Sequence, residues 1–314
     1  MISQGDIELA AKYIKEGKVV AFPTETVYGL GADALNPMAV AKIFELKKRP
    51  SFDPLIVHIS DISYIKKLTK NNDDRIYKLA ERFWPGPLTI VMKKSEIVPD
   101  IVTSGLPTVG IRMPDNKIAL ELITKSETAI AAPSANLFGR VSPTTAQHVK
   151  KQLKGVDFIL DGGKTKVGIE STIIALNEEG FEILRYGLIT KEEIKKVIPI
   201  CTESKNKKNI LAPGMLKSHY SPSKPLFILD KNILEKIDRK KVGLLSFSGK
   251  DTEGFKIVIE LTKNQDLKEY AVNLFESMHK LEESDVEYIV AEPVPEIGVG
   301  LAIMDRLKKA SHKK

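Results

Sequence analysis

Residues 18–31 read Lys18-Val-Val-Ala-Phe-Pro-Thr-Glu-Thr-Val-Tyr-Gly-Leu-Gly31. Lys18 to Phe22 is a short apolar run with the length of a buried strand, and Pro23 closes it. Two threonines and a glutamate follow, and Gly29 and Gly31 then permit tight backbone. Upstream, Ile7, Ala10, Ala11 and Ile14 form one helical stripe over 6–16, and Gly17 ends it. Downstream, Asn36 caps a helix whose first position is Pro37; it runs to about Lys48 and is stopped by Arg49-Pro50. Helix, buried strand, polar turn and helix make the start of an α/β domain.

The same reading extends along the chain. Strands are expected at 54–59, 88–93, 108–113, 128–132, 158–160, 171–176 and 181–186. Helices are expected at 73–82 and 117–124, from Ser142-Pro143 to about Leu153, and from a Thr190/Glu193 capping box to about Pro199. Residues 202–210 are polar and without periodicity. After them, strands at 225–229, 242–247, 255–261 and 286–291 alternate with helices at 231–237, 266–283 and 298–310. This is the pattern of a small parallel α/β domain. Domains are therefore placed at 1–200 and 225–314, with a linker over 201–224.

Composition narrows the function. At 314 residues the chain is long enough for two cores, and 42% hydrophobic with 28% charged residues is ordinary for a globular protein. No apolar run reaches bilayer length, and the first residues lack signal-peptide character. The single cysteine, Cys201, cannot form an internal disulfide. These points fit a cytoplasmic protein without a membrane partner. The net charge of +7 suits an anionic partner such as a nucleotide or RNA, although a lysine-rich surface explains most of it. Arginines number only eight, against forty lysines. Four of them, Arg49, Arg112, Arg140 and Arg185, fall in the loops described next.

Five loops collect small polar and basic residues at predicted strand or helix ends. The first, Pro23 to Gly31, fits a capped turn and a ligand loop equally. The second, Lys47 to Pro54, places cations at a helix C-terminus, where they complement its dipole or clamp a phosphate. It leads into a strand with His58, read there as structural. The third, Thr108 to Pro114, alternates so that Val109, Ile111 and Met113 share one face and Thr108, Gly110 and Arg112 the other. An arginine over a glycine wants a carboxylate or phosphate; the other reading, slightly less favoured, is an internal ion pair with an Asp or Glu. The fourth, Ala131 to Asn136, runs on to Arg140 and Ser142, which reads as a helix N-cap or anion contact. The fifth is Gly168 to Thr172 with Leu184 to Gly187 downstream. P-loop, zincin, C-x-x-C and G-x-S-x-G patterns are absent. The set suits positioning of anionic reactants rather than attack by a protein nucleophile.

The strings PTETVYGLG, KKRPSFDPLIVH, WPGPLT, TVGIRMP, APSAN, GIEST, ILRYG and APGMLKSHYSP, in this order, resemble the threonylcarbamoyl-AMP synthases in their long two-domain form. The resemblance implies a YrdC-like twisted, mainly β sheet with helices around a deep cavity, plus a small Rossmann-like parallel α/β domain. It implies that L-threonine, bicarbonate and ATP give threonylcarbamoyl-AMP and pyrophosphate. A downstream tRNA threonylcarbamoyltransferase machinery then modifies the adenosine beside the anticodon, so little or no direct tRNA binding is required here. It implies Thr26, His58, Arg112, Ala132 (main chain) and Ser171 around threonine. Lys47, Arg49, Ser134 and Asn136 form the catalytic set at the triphosphate, and Thr108, Ser142, Arg185 and Tyr220 contact ATP. Mg²⁺ is expected on the phosphates, with no dedicated metal cage and no organic cofactor. At Asp53 the family usually has Asn, so its ATP contact is open: the carboxylate faces Mg²⁺, faces a neighbouring cation or turns away. The linker resembles a lid over the active-site mouth; a stiff spacer is the other reading. Two rivals remain. One is a non-catalytic RNA- or tRNA-binding module. The other is a carbamoyl-adenylate-forming enzyme, which usually carries zinc-finger and acylphosphatase parts that this chain lacks.

Overall fold

The computed structural model describes residues 3–71, 73–201, 213–216, 219–230, 233 and 237–312. Most of the expected helix over 231–237 and most of the linker lie outside the described residues. In chain order, the first part carries α1 (Gln4–Lys15), β1 (Val20–Pro23), β2 (Tyr28–Asp33), α2 (Pro37–Lys47), β3 (Ile56–His58), α3 (Tyr64–Leu68), α4 (Asp74–Phe83) and β4 (Leu88–Lys93). There follow α5 (Asp100–Thr103), β5 (Thr108–Arg112), α6 (Lys117–Ser126), β6 (Ile130–Ala131), α7 (Ala146–Gln152), β7 (Phe158–Ile159), β8 (Thr172–Leu176), β9 (Phe181–Arg185) and α8 (Lys191–Lys195). The later part carries β10 (Leu226–Ile228), β11 (Val242–Ser246), β12 (Ile257–Glu260), α9 (Leu267–Glu283), β13 (Tyr288–Ala291) and α10 (Val299–Ser311).

The first nine strands form one mixed sheet in the order β7-β1-β2-β6-β3-β5-β4-β8-β9. The last four form a separate parallel sheet, β10-β13-β11-β12. This is the expected fold class: a large, mainly β sheet with helices, then a small parallel α/β unit. Local chemistry sets the element ends. Asn36 caps α2 through Met38 N and Ala39 N, with Pro37 in the first turn. Ser3 with Asp6 and Thr190 with Glu193 both form capping boxes.

The large sheet packs helices on both faces. Tyr28, Leu30, Ile43, Val57 and Ile111 are among the fully buried side chains of one face. Ile14, Phe22, Leu122 and Ile130 belong to the other. Each such side chain contributes roughly 1.5–3 kcal/mol on burial. A third core, with Tyr270, Phe275, Ile289 and Leu307, lies under the small sheet, and Tyr220 and Ile169 join it from outside that sheet. The two parts are therefore packed together. Arg140 meets Glu282 at 2.7 Å, Lys151 meets Glu283 at 2.6 Å, and the rings of His148 and His279 stack at 3.9 Å.

Two local expectations need correction. Residues 28–33 form a strand rather than the end of a turn, because Gly31 packs where no side chain fits: a Cβ there would lie 2.6 Å from both Ile130 and Phe22. The helix expected from Ser142 instead begins at Ala146, because Thr145 caps it through His148 N while the Ser142 hydroxyl is taken by Glu170.

Candidate active site

A cavity opens where the loops after β1, β6 and α2 converge with the ends of β3 and β5, the Gly168–Thr172 loop, the end of β9 and residues 213–220. Its wall includes Thr26, Arg49, His58, Arg112, Ala132, Ser134, Arg185 and Tyr220, all expected on sequence grounds. Thr24, Val27, Gly29, Ile56, Pro133, Glu170, Pro213, Gly214 and His219 complete it. As it stands it encloses about 50 Å³, far below the about 300–1,000 Å³ of ordinary ligand pockets.

Arg112, the last residue of β5, is buried and its NH1 donates to Thr26 Oγ1 at 3.0 Å. Its NH2 lies 2.6 Å from Glu25 Oε2, so the internal ion pair, the less favoured reading, is present. The contact is not aligned as a hydrogen bond. Arg112 Nε and NH2 and both Glu25 oxygens are buried without hydrogen-bond partners. Glu25 thus sits against the NH2 side of the guanidinium, and Nε is left without a partner; a buried guanidinium of this kind suits a carboxylate.

Across the cavity, Arg49 is anchored by backbone. Its Nε donates to the Asp53 carbonyl at 3.0 Å and its NH2 to the Pro54 carbonyl at 2.8 Å. The Asp53 carboxylate meets the same guanidinium at 2.9 Å and does not line the cavity. Of the orientations left open for Asp53, it takes the neighbouring cation. Burial raises the Asp53 carboxyl above its ordinary value, against the pull of Arg49 and Lys47. Lys47 lies just behind the wall, and its ammonium donates to the carbonyls of Ser134 (2.6 Å) and Asn136. Burial and then Arg49 push Lys47 well below its usual pKa, with Asp53 opposing.

Arg185, at the end of β9, donates to Ser171 through Nε to the carbonyl (3.0 Å) and through NH2 to Oγ (3.0 Å). Ser171 also pairs with Thr89 at 2.8 Å. Thr108 stands apart, beside a smaller cleft with Thr89, Gly110, Ile173 and Pro213. Asn136 donates to the carbonyls of Leu137 and Arg140. Ser142 reaches the cavity only through Glu170, to which it donates at 2.5 Å. His58 is held neutral: burial, then Arg112, lower its pKa to about 3.

The described part of the linker forms one wall. Arg185 NH1 donates to the Pro213 carbonyl at 3.2 Å. Gly214 has a left-handed φ of +81°, and a Cβ there would lie 2.7 Å from the Tyr220 hydroxyl. Tyr220 itself has φ +61°, an uncommon conformation for a residue with a side chain. Its ring stacks on Phe275 at 5.5 Å, and its hydroxyl has no hydrogen-bond partner. Burial raises its pKa, and Glu170 adds to that. Orphaned buried polar atoms are uncommon in folded proteins. Here Arg112, His58, His219 and Tyr220 bring theirs to one cavity. Among the described residues no cluster of three or more His, Cys, Asp or Glu can hold a metal ion, and no helix is long and apolar enough to cross a membrane.

Comparison with known proteins completes the description. Residues 12–187 match the family described as "Telomere recombination" (Sua5, yciO, yrdC), and residues 189–312 match "Threonylcarbamoyl-AMP synthase, C-terminal domain". The chain belongs to the threonylcarbamoyl-AMP synthase family. The synthase of Pyrococcus abyssi is 44% identical, covering 99% of this chain and 95% of that one. That of Bacillus subtilis is 43% identical, covering 97% and 92%. The crystal structure of P. abyssi Sua5 complexed with L-threonine superposes with a TM-score of 0.90 at 43% identity, covering 99% of this chain and 95% of that one. These matches favour the synthase reading over a non-catalytic RNA-binding module. Members of the family are nucleotidyltransferases that use ATP, and this chain is one of them.

Sequence reasoning missed Glu25, Glu170 and the hydrophobic wall residues. The strings PTET and GIEST contain both acids, but nothing in a string tells which carboxylate will face an arginine.

Proposed function

We propose that the cavity is the site where L-threonine, bicarbonate and ATP become threonylcarbamoyl-AMP and pyrophosphate. The observation that supports this is the buried guanidinium of Arg112, held by Thr26 and Glu25 with its Nε left without a hydrogen-bond partner, which suits the carboxylate of an amino acid, set in one cavity with the buried guanidiniums of Arg49 and Arg185. Threonine sits between Thr26, His58, Arg112, the Ala132 main chain and Ser171. Its amine nitrogen bonds to the bicarbonate carbon and water leaves. A carbamate oxygen then attacks the α-phosphorus of ATP, and the bond from that phosphorus to pyrophosphate breaks.

No protein nucleophile is needed, so the chain's task is orientation and charge stabilisation. Arg49, Lys47 and Arg185, with Ser134 and Asn136, surround the phosphates; Thr108 and Ser142 lie towards the nucleoside. Asp53 keeps Arg49 in place rather than touching ATP. Neutral His58 offers hydrogen bonding without charge. Mg²⁺ carried on the phosphates would offset their charge. Among the described residues no cluster of acids or histidines forms a cage for it, and the acids nearest the cavity, Glu25, Asp53 and Glu170, are each paired with an arginine.

Residues 201–224, taken as a unit between domains 1–200 and 225–314, act as a lid. Pro213, Gly214, His219 and Tyr220 swing out to admit ATP and close to keep water from a labile anhydride. The enzyme works in the cytoplasm and supplies a tRNA threonylcarbamoyltransferase, with no direct tRNA contact required.

The test is mass spectrometry of the products made with isotope-labelled bicarbonate. The adduct must contain threonine, AMP and the labelled carbon together. An AMP product without that carbon would refute the reaction as written.

A further inference from the structure

Glu170 is the one carboxylate among the described residues that line the cavity. Arginines suit a polyanion there; an uncompensated carboxylate repels it. Both Glu170 oxygens are engaged. Ser142 Oγ donates to Oε1, and Arg306 Nε donates to Oε2 at 3.1 Å. Arg306 comes from α10 in the small-sheet part of the chain and is fully buried. Its NH1 donates to the Tyr186 carbonyl at 2.7 Å and to Asp305 at 2.9 Å. Its guanidinium carbon lies 5.3 Å from the centre of the Tyr220 ring. One turn further along α10, Lys309 donates to the Gly214 carbonyl at 2.6 Å, and its own carbonyl accepts from His219 N at 3.3 Å. A single turn of one helix therefore holds both the carboxylate of the cavity and its lid wall.

We propose that Arg306 is a positioning residue for the nucleotide end of the active site. It neutralises Glu170 so that a triphosphate meets the cavity arginines without a competing anion. This gives the small parallel domain a part in the reaction through one side chain. The inference rests on the assignment of ATP to this cavity. A merely structural role for Arg306 predicts something else: a general loss of fold, with no specific dependence on Glu170.

The test is a double-mutant cycle with R306A, E170Q and R306A/E170Q. It reads equilibrium ATP affinity, the KM for ATP, the KM for threonine and the melting temperature. R306A should weaken ATP binding and raise the KM for ATP by about tenfold or more, because it leaves a buried carboxylate unpaired. The KM for threonine should move less than about twofold, a split that a general loss of fold does not produce. Adding E170Q to R306A should bring ATP affinity back to within about threefold of the parent, since the offending charge is gone. Equal changes in both KM values, or no recovery in the double variant, would overturn the proposal. If R306A does not fold, R306K and the double variant decide. R306K should bind ATP within about threefold of the parent because it keeps a cation. Either one folded but deficient in ATP binding refutes the proposal. If the unaltered enzyme itself gave no threonine-dependent product, the functional reading would fail, and ATP affinities would still report on Arg306 separately.

Discussion

The two sheets invite opposite readings of where ligand binds. The small sheet is wholly parallel, and open parallel sheets usually bind ligands at the carboxyl ends of their strands. Here that edge is filled by the chain itself. Glu292, just after β13, accepts from Phe247 N at 2.7 Å, Ser248 N at 2.8 Å and Ser246 Oγ at 3.1 Å, using the donors an anion would want. The large mixed sheet has no such topological signpost, yet it carries the cavity with Arg49, Arg112, Arg185 and the orphaned polar atoms. Topology pointed to one part; unsatisfied polar chemistry points to the other. The small-sheet part touches the cavity wall through the side of α10, where Arg306 meets Glu170 and Lys309 meets the Gly214 carbonyl.

Point variants in the two parts should differ in what they disturb. The largest effect is expected from Arg112→Ala. It removes the guanidinium proposed to take the threonine carboxylate and strands Glu25, so threonine-dependent turnover should drop by about a hundredfold or more. A threonine KM within twofold of the parent would place that contact elsewhere. Gly214→Ala comes next. Its positive φ and the nearby Tyr220 hydroxyl leave no room for a methyl group, so this wall of the cavity should shift and turnover fall by about tenfold. Melting temperature should barely change, and a normal rate would remove the wall from the mechanism.

His58 also carries a stability effect, apart from its place at the cavity wall. Its folded pKa of about 3 lies below the ordinary 6.5, so below pH 6.5 the unfolded chain binds the proton first. Stability therefore falls as pH drops from about 6.5 towards about 3, with a slope of up to about 1.4 kcal/mol per pH unit from this group. His58→Asn should flatten that slope in melts across the range; an unchanged slope would place the acid sensitivity elsewhere. The smallest functional effect belongs to the other sheet. Glu292→Ala should lower the melting temperature by about 2–4 °C through lost hydrogen bonds, and leave the KM for ATP unchanged within about twofold. A rise in that KM would mean that the small sheet's edge takes part after all.

The fold was largely legible where local chemistry fixes it. Asn36-Pro37 opens α2, the Thr190/Glu193 box opens α8, and the strand over 88–93 appears as expected. It failed where a distant group competes. Gly31 reads as turn glycine, but it is glycine because Phe22 and Ile130 close over it. Ser142 reads as a cap, but Glu170 takes its hydroxyl. The five-residue α3 and four-residue α5 have too little length to show a period. Site residues were legible as types: eight of the expected ones line the cavity. Their pairing was not. Nothing near Arg112 in sequence announces Glu25, and nothing near Glu170 announces Arg306, which is 136 residues away.

The most direct test of the account is pyrophosphate release from ATP, with threonine and bicarbonate each omitted in turn. The account predicts release only when both are present, because the attacking oxygen belongs to a carbamate made from the two. Release that continues at the same rate without either one would contradict it.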